Sequence, residues 1–397
     1  MRILVINTDY PRFLAELYSR QPELAHASYD VQMAARNDSL FGVADYYSRG
    51  FRAHGHEAWE VHLNNPWLQT AWAREHGIPS IDPPAPGELT LPPTHRSSKH
   101  VEHFKTLLRP LVRRFRSRLG GGVRLGDDEL RIFLAQVEHY RPDVILNQDI
   151  SFIGYDVLNH IAKRGTTMVG QIASPLPVGE RFNCYDLMIS SLPNFVQWFR
   201  ERGVNAELNR LGFEPTLLDK LGPQPPRDVP VSFVGSLSPE HADRIKLLEA
   251  VAERVDLSLW GNGIERLPSS SILWRCYRGE AWGRDMYAAL RRSQITINFH
   301  INLSEGFANN MRLYEATGVG TTLVTDAKRN LSDIFEPGAE VVSYSSPEDC
   351  VGQIEALLAD PARCAAIGAA GQKRTIEEHN YYNRTGEIVG LVERLGG

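Results

Sequence analysis

Short apolar runs recur along the chain, each closed by Gly, Asn, Asp or Pro. Between them lie segments whose apolar residues repeat at helical spacing. Residues 3–7 (ILVIN) predict a buried strand, followed by a loop with Asp9, Tyr10 and Pro11. Residues 32–54 have helical spacing and stop at Gly55, and 56–63 predict a second strand. From residue 143 the rhythm is regular: strand 143–149, helix 155–163, strands 166–173 and 185–191, and helix 194–203 closed by Gly203. Five prolines within 215–230 predict a linker. The rhythm then restarts with strand 231–236, helix 241–255, strand 256–263, helix 283–293, strand 295–300, helix 310–320 and strands 321–326 and 340–346. Helices at 347–360 and 361–379 begin on proline. Strands alternating with helices at this spacing imply parallel sheets. The expected fold class is α/β, with two Rossmann-like lobes facing across a cleft. The expected division is 1–220, 221–380 and a closing helix at 381–397.

Composition adds little to this and removes some alternatives. The chain has 397 residues, 42% apolar and 23% charged, as in a globular protein of two or three domains. A net charge of -5 argues against binding nucleic acid through bulk charge. The four cysteines form no C-x-x-C pair, so neither a zinc site nor a disulfide framework is suggested. No run of eighteen apolar residues occurs, and the run at 3–6 is too short for a signal-peptide core. A cytoplasmic protein without a membrane span is the expectation. Residues 79–97 are rich in proline and polar residues and lead into a basic stretch with Arg109, Arg113, Arg114, Arg116 and Arg118. That stretch reads either as a helix with a solvated basic face or as a peripheral contact for an anionic partner.

In open parallel sheets, ligands bind beyond the carboxyl ends of strands. Candidate chemistry therefore belongs in the loops there. Gly235 after the strand at 231–236 permits close backbone approach, and Ser236, His241 and Arg244 surround the start of the next helix, whose N–H groups suit phosphate. Tyr277 and Arg278 stand before another helix, where an aromatic ring and free backbone suit a nucleobase. The stretch 305–320, EGFANNMRLYEATGVG, carries Glu305, Gly306, Phe307, Asn309 and Asn310 in a loop, then Arg312 and Glu315 on a helix. Either asparagine can cap that helix, Gly318 can close it, and Arg312 and Glu315 are spaced to pair. Asp9 and Asp149 end two strands of the first lobe, where each is either a base or a turn residue.

The segments 233–250, 295–350 and 371–384 resemble the C-terminal lobe of group-1 (family-4-type) glycosyltransferases of the GT-B fold, and more narrowly the CgeB-like branch. The resemblance implies a nucleoside-diphosphate-sugar donor as co-substrate in the second lobe, an acceptor in the first, and no metal or other cofactor. No D-x-D motif occurs, which agrees with metal independence. It implies that Glu315 bonds the donor ribose, since a carboxylate accepts two hydrogen bonds from a vicinal diol. It implies an acid eight residues earlier at the donor sugar. Phe307 stands there, and Glu305 lies two residues further back. Arg244 or Arg312 would supply the diphosphate charge, because Ser236 and His241 occupy the family's basic positions. Retention of stereochemistry is the expected outcome. The implied alternatives are a GT-B nucleotide-sugar epimerase and a nucleotide-sugar-binding protein without transfer.

Overall fold

Eleven strands carry the framework among the described residues. They are β1 (Arg2–Asn7), β2 (Glu57–His62), β3 (Val144–Asn147), β4 (Thr167–Gln171), β5 (Leu187–Ser190), β6 (Ala206–Leu208), β7 (Val229–Val234), β8 (Leu257–Trp260), β9 (Ser293–Asn298), β10 (Thr322–Asp326) and β11 (Val342–Tyr344). The computed structural model describes residues 1–80, 82–85, 125–176, 182–237, 242–300 and 305–396. The basic stretch at 109–118, His241 and most of 79–97 lie outside the described residues.

All pairings are parallel, in two sheets ordered β2-β1-β3-β4-β5-β6 and β11-β10-β9-β7-β8. Sheets covered by helices on both faces need strands that are apolar on both sides. Accordingly every residue of β3 and of β5 is buried. Each sheet has one point where the strand order reverses. In the first it lies between β1 and β3, and in the second between β7 and β9. These reversals open crevices at the carboxyl ends, where the loops after β1, β7 and β9 begin.

The chain returns to its first lobe at the end. Phe213 bridges the two halves of this crossing, donating its N–H to the His379 carbonyl at 2.8 Å and accepting from Tyr381 N at 3.0 Å. The last helix, Tyr381–Glu393, packs on the helix Tyr46–Ala53, with the Tyr381 ring 5.2 Å from Tyr46 and 5.1 Å from Tyr47. Among the described residues no helix is long and apolar enough to cross a membrane.

Three expectations change. The helix expected at 32–54 is two helices, Tyr29–Asp38 and Tyr46–Ala53. Ser39 ends the first by donating to the Arg36 carbonyl at 2.6 Å, and Leu40, Gly42 and Ala44 then take positive φ. The segment 215–230 is more than a linker. It holds a short helix, Leu217–Leu221, and Arg227, whose guanidinium donates to the Ser293 and Gly320 carbonyls at 2.6 Å each. Gly318 is not the left-handed cap of its helix. That role falls to Gly320 (φ 74), while Gly318 is required because a Cβ there would stand 2.4 Å from the Phe213 ring. Two helices opened by proline, Pro11–Arg20 and Pro66–Glu75, add to the first lobe.

Candidate active site

The carboxyl ends of the two sheets face each other across a cleft with two chambers. One, of about 480 Å³, is lined by the ends of β1, β7 and β9 and by the helix Met311–Gly318. The other, of about 460 Å³, is bounded by Gly261, Asn262, Ala281 and Trp282. Tyr10, Gly235, Trp282, Met286 and Arg312 belong to both, so the chambers form one cleft.

The β7 and β8 ends meet by backbone alone. Gly235 N–H donates to the Trp260 carbonyl at 2.9 Å, and a Cβ on Gly261 (φ +152) would lie 1.8 Å from the Gly235 oxygen. Only glycine fits there. The chamber wall at Gly235 is therefore bare main chain.

The helix Met311–Gly318 brings its charged pair to this wall. Asn310 is its cap, accepting from Leu313 N at 3.2 Å, and its amide donates to Asn298 Oδ1 at 2.8 Å, which ties the cap to β9. Arg312 Nη1 stands 2.9 Å from Glu315 Oε2, and Arg312 Nη2 donates to the Val234 carbonyl at 3.1 Å. The pair is not a surface ion pair: the side chains are only 14% and 9% exposed. Burial pushes the Glu315 carboxyl up, and Arg312 opposes that shift. Arg312 Nε has no hydrogen-bond partner among the described residues. Arg244 is buried alongside, donating to the Ser236 carbonyl at 2.9 Å and the Phe299 carbonyl at 3.3 Å, with its Nε also unpartnered. A buried and a half-buried guanidinium with spare N–H donors at one wall form a ready anion site.

On the opposite wall Asp9 is 3% exposed. Its Oδ1 accepts from Arg36 Nη2 at 2.7 Å and Nε at 3.2 Å, and His62 Nδ1 stands 3.4 Å away. Burial alone would raise this carboxyl, but Arg36 and then His62 hold it well below the usual carboxylate range. Its Oδ2 is unpartnered among the described residues. Asp9 is thus a fixed anion that can accept a hydrogen bond and is a poor proton acceptor.

The expected site residues divide. Asp9, Gly235, Ser236, Arg244, Asn310, Arg312 and Glu315 line the chambers. Asp149 does not; it accepts from Thr8 Oγ1 at 2.7 Å and Ser151 Oγ at 2.9 Å, a turn role that holds the β1 loop. Tyr277 and Arg278 stand outside the chambers as well. Arg278 N–H is spent on the Leu259 carbonyl at 2.8 Å, and the wall comes from Ala281 and Trp282 instead. Glu305 (φ 47) is exposed and lines neither chamber. Its loop is pinned away by Arg329 N–H on the Gly306 carbonyl at 2.9 Å and by Ala308 N–H on Asn330 Oδ1 at 2.6 Å, with Arg329 5.8 Å over the Phe307 ring. Asn309 is half-buried and precedes the cap without lining a chamber. Arg36, Phe41 and Trp282 were missed. Phe41 and Trp282 meet edge-on at 5.7 Å across the lobes, a contact no local pattern encodes.

This architecture, two facing parallel-sheet lobes with a closing helix, is the GT-B fold. Solved structures that share it run the full length of the chain. Sucrose-phosphate synthase from Thermosynechococcus elongatus is similar at 13% identity and TM-score 0.55, over 99% of this chain and 98% of that one. Anabaena HepE in complex with UDP and glucose is similar at 14% identity and TM-score 0.56, over 99% of each. A glycosyltransferase from Rickettsia africae matches at 10% identity and TM-score 0.54, over 99% and 98%. The family model described as glycosyl transferase-like matches residues 244–390, the second lobe after β7 and most of the returning helix. No curated protein matches the sequence.

Proposed function

We propose that the protein is a glycosyltransferase that moves a sugar from a nucleoside-diphosphate donor to an acceptor hydroxyl in this cleft. The observation that carries the reading is the buried wall of Arg244, Arg312 and Glu315, with spare guanidinium N–H groups beside a carboxylate. A diphosphate sugar offers what that wall lacks. Its phosphates take the free N–H donors, and its ribose diol donates to Glu315. The nucleobase then falls in the second chamber, against the Gly261 backbone and the Trp282 ring. The glycosyl-transferase-like match over 244–390 covers Arg244, Arg312 and Glu315 and supports the same assignment. A GT-B neighbour in complex with UDP and glucose makes UDP-glucose the first donor to test.

In the reaction the bond from the anomeric carbon to the phosphate oxygen breaks and one to the acceptor oxygen forms. The arginines stabilise the charge that grows on the diphosphate, the largest contribution such a site makes, without a metal. Asp9 is too strongly held as an anion to act as base, so the acceptor proton passes to the leaving phosphate oxygen. That route places donor and acceptor on the same face and gives retention. Asp9 orients a hydroxyl through Oδ2. The pattern GFANNMRLYEATGVG is the reason to place the chain in the CgeB-like branch. The test is release of nucleoside diphosphate from a panel of nucleotide sugars, with NMR of the anomeric product. Turnover with a retained anomeric centre supports the proposal. Nucleotide binding by a folded protein without turnover on any donor contradicts transfer.

A further inference from the structure

Trp282 lines both chambers from the second lobe, yet part of what holds it comes from the first. It stands on a strap, residues 279–283, bounded by Gly279 (φ 101) and Gly283 (φ 49). One end of the strap is tied to the β8 end, where Gly261 N–H donates to the Gly279 carbonyl at 3.0 Å. The other end abuts the first lobe, where Arg284 N–H donates to the Ser39 carbonyl at 3.0 Å. Between them the Trp282 ring meets Phe41 of the first lobe, and Phe41 is itself stacked on Phe13 at 4.2 Å.

Glu280 sits on the same strap and lines neither chamber. Its two carboxylate oxygens are divided between the lobes. Oε2 accepts from the Trp282 indole N–H at 3.1 Å, and Oε1 accepts from Arg12 on the first-lobe helix Pro11–Arg20. One carboxylate thus ties a ring of the cleft wall to a cation of the opposite lobe. The indole N–H is a donor only, so this bond fixes which way the ring is turned. The ion pair to Arg12 is partly open to solvent, with side chains 48% and 21% exposed. A pair of that kind is weak enough to part without unfolding either lobe.

We propose that Glu280 is a positioning residue that couples the meeting of the lobes to nucleotide binding: Arg12 holds Glu280, and Glu280 holds the Trp282 ring in the orientation that receives the nucleobase. This rests on the reading of the cleft as a nucleoside-diphosphate site and adds how its second chamber is completed. The first lobe then strengthens donor binding through Trp282. Coupling is reciprocal, so a bound nucleotide favours the meeting of the lobes by the same factor. Arg12 also lines the second chamber, so the test must separate its hold on Glu280 from direct contact with the nucleotide.

Titration calorimetry with UDP, GDP and ADP does so, on the wild type, Glu280→Ala, Arg12→Ala, Trp282→Phe and the two double variants that carry Trp282→Phe. Trp282→Phe keeps a ring and removes the N–H that Glu280 accepts. For a nucleotide that the wild type binds, Glu280→Ala and Arg12→Ala each weaken affinity about two- to fivefold, the range an exposed ion pair supplies. Neither adds to the loss once Trp282→Phe is in place. Arg12→Lys restores most of the affinity, and thermal unfolding checks that each variant is folded. Unchanged affinity in Glu280→Ala or in Arg12→Ala overturns the proposal. So does a loss that is undiminished in the Trp282→Phe background, since the group then acts on the nucleotide directly. Each of these results leaves the cleft assignment standing, because comparison with Arg312→Gln reads that assignment separately. Absence of binding of all three nucleotides to the wild type overturns both.

Discussion

Glu315, buried, and Arg312, half-buried, lie one helical turn apart, and the proposed function gives them complementary roles, the cation toward the diphosphate and the anion toward the diol. Removing one partner of such a pair leaves the other uncompensated. Glu315→Gln keeps the shape and loses the charge, so nucleoside-diphosphate affinity falls at least tenfold, about 1.4 kcal/mol. Thermal unfolding of the variant checks that the fold survives. The Asp9 network makes a pH prediction. The carboxyl of Asp9 is depressed in the fold, so its contribution is fully present above the unfolded value of about 3.9 and is lost as pH falls through the folded value. His62 is raised despite burial and despite Arg36, because Asp9 and Glu60 face it. Its contribution is therefore full below about pH 6.5 and is lost as pH rises through the folded value. The difference in unfolding free energy between wild type and His62→Gln, followed by urea titration, shrinks as pH rises above about 6.5. A difference independent of pH contradicts the network.

At the level of elements, the β7 and β8 ends form a wall of the second chamber by backbone contact, and Gly261→Ala tests its proposed role in holding the nucleobase. A Cβ 1.8 Å from the Gly235 oxygen forces the strands apart, costing about 2–3 kcal/mol and distorting the wall. Nucleotide affinity falls further than stability alone explains. The same elements show what was legible in the chain. Strands buried on both faces, such as β3 and β5, announce themselves as unbroken apolar runs. The helix Met311–Gly318 was legible too, because Asn310 carries a local cap signal and the Arg312–Glu315 spacing is fixed by helix geometry. Arg36 was not, because its helix had to be read as ending at Ser39 before its side chain could turn to Asp9. Glu305 is the contrasting case. Its spacing from Glu315 is two residues longer than the resemblance implies, and Arg329 and Asn330, more than twenty residues on, hold the loop that carries it. Spacing along a helix transfers from sequence to space; spacing through a loop does not.

At the scale of the molecule, the proposed transfer requires the two lobes to meet, and their meeting is specific. Arg284 N–H donates to the Ser39 carbonyl at 3.0 Å, Arg12 pairs with Glu280, and a Cβ on Gly283 would stand 2.1 Å from the Ser39 oxygen. Gly283→Val therefore holds the lobes apart, and at φ 49 it also strains the backbone: small-angle scattering of the folded protein below its lowered Tm shows a larger radius of gyration with UDP present than the wild type shows, and turnover falls. In the proposed reaction, lobes held together in this way would exclude the water that competes with the acceptor. All of this rests on one claim, that the cleft between the lobes holds a nucleoside diphosphate on Arg244, Arg312 and Glu315. Titration of UDP, with GDP and ADP in parallel, into wild type and Arg312→Gln measures it most directly. The account predicts saturable binding of at least one nucleotide to the wild type, weakened at least tenfold in a folded Arg312→Gln. Equal affinity in the two proteins, or no binding of any of the three to the wild type, contradicts it.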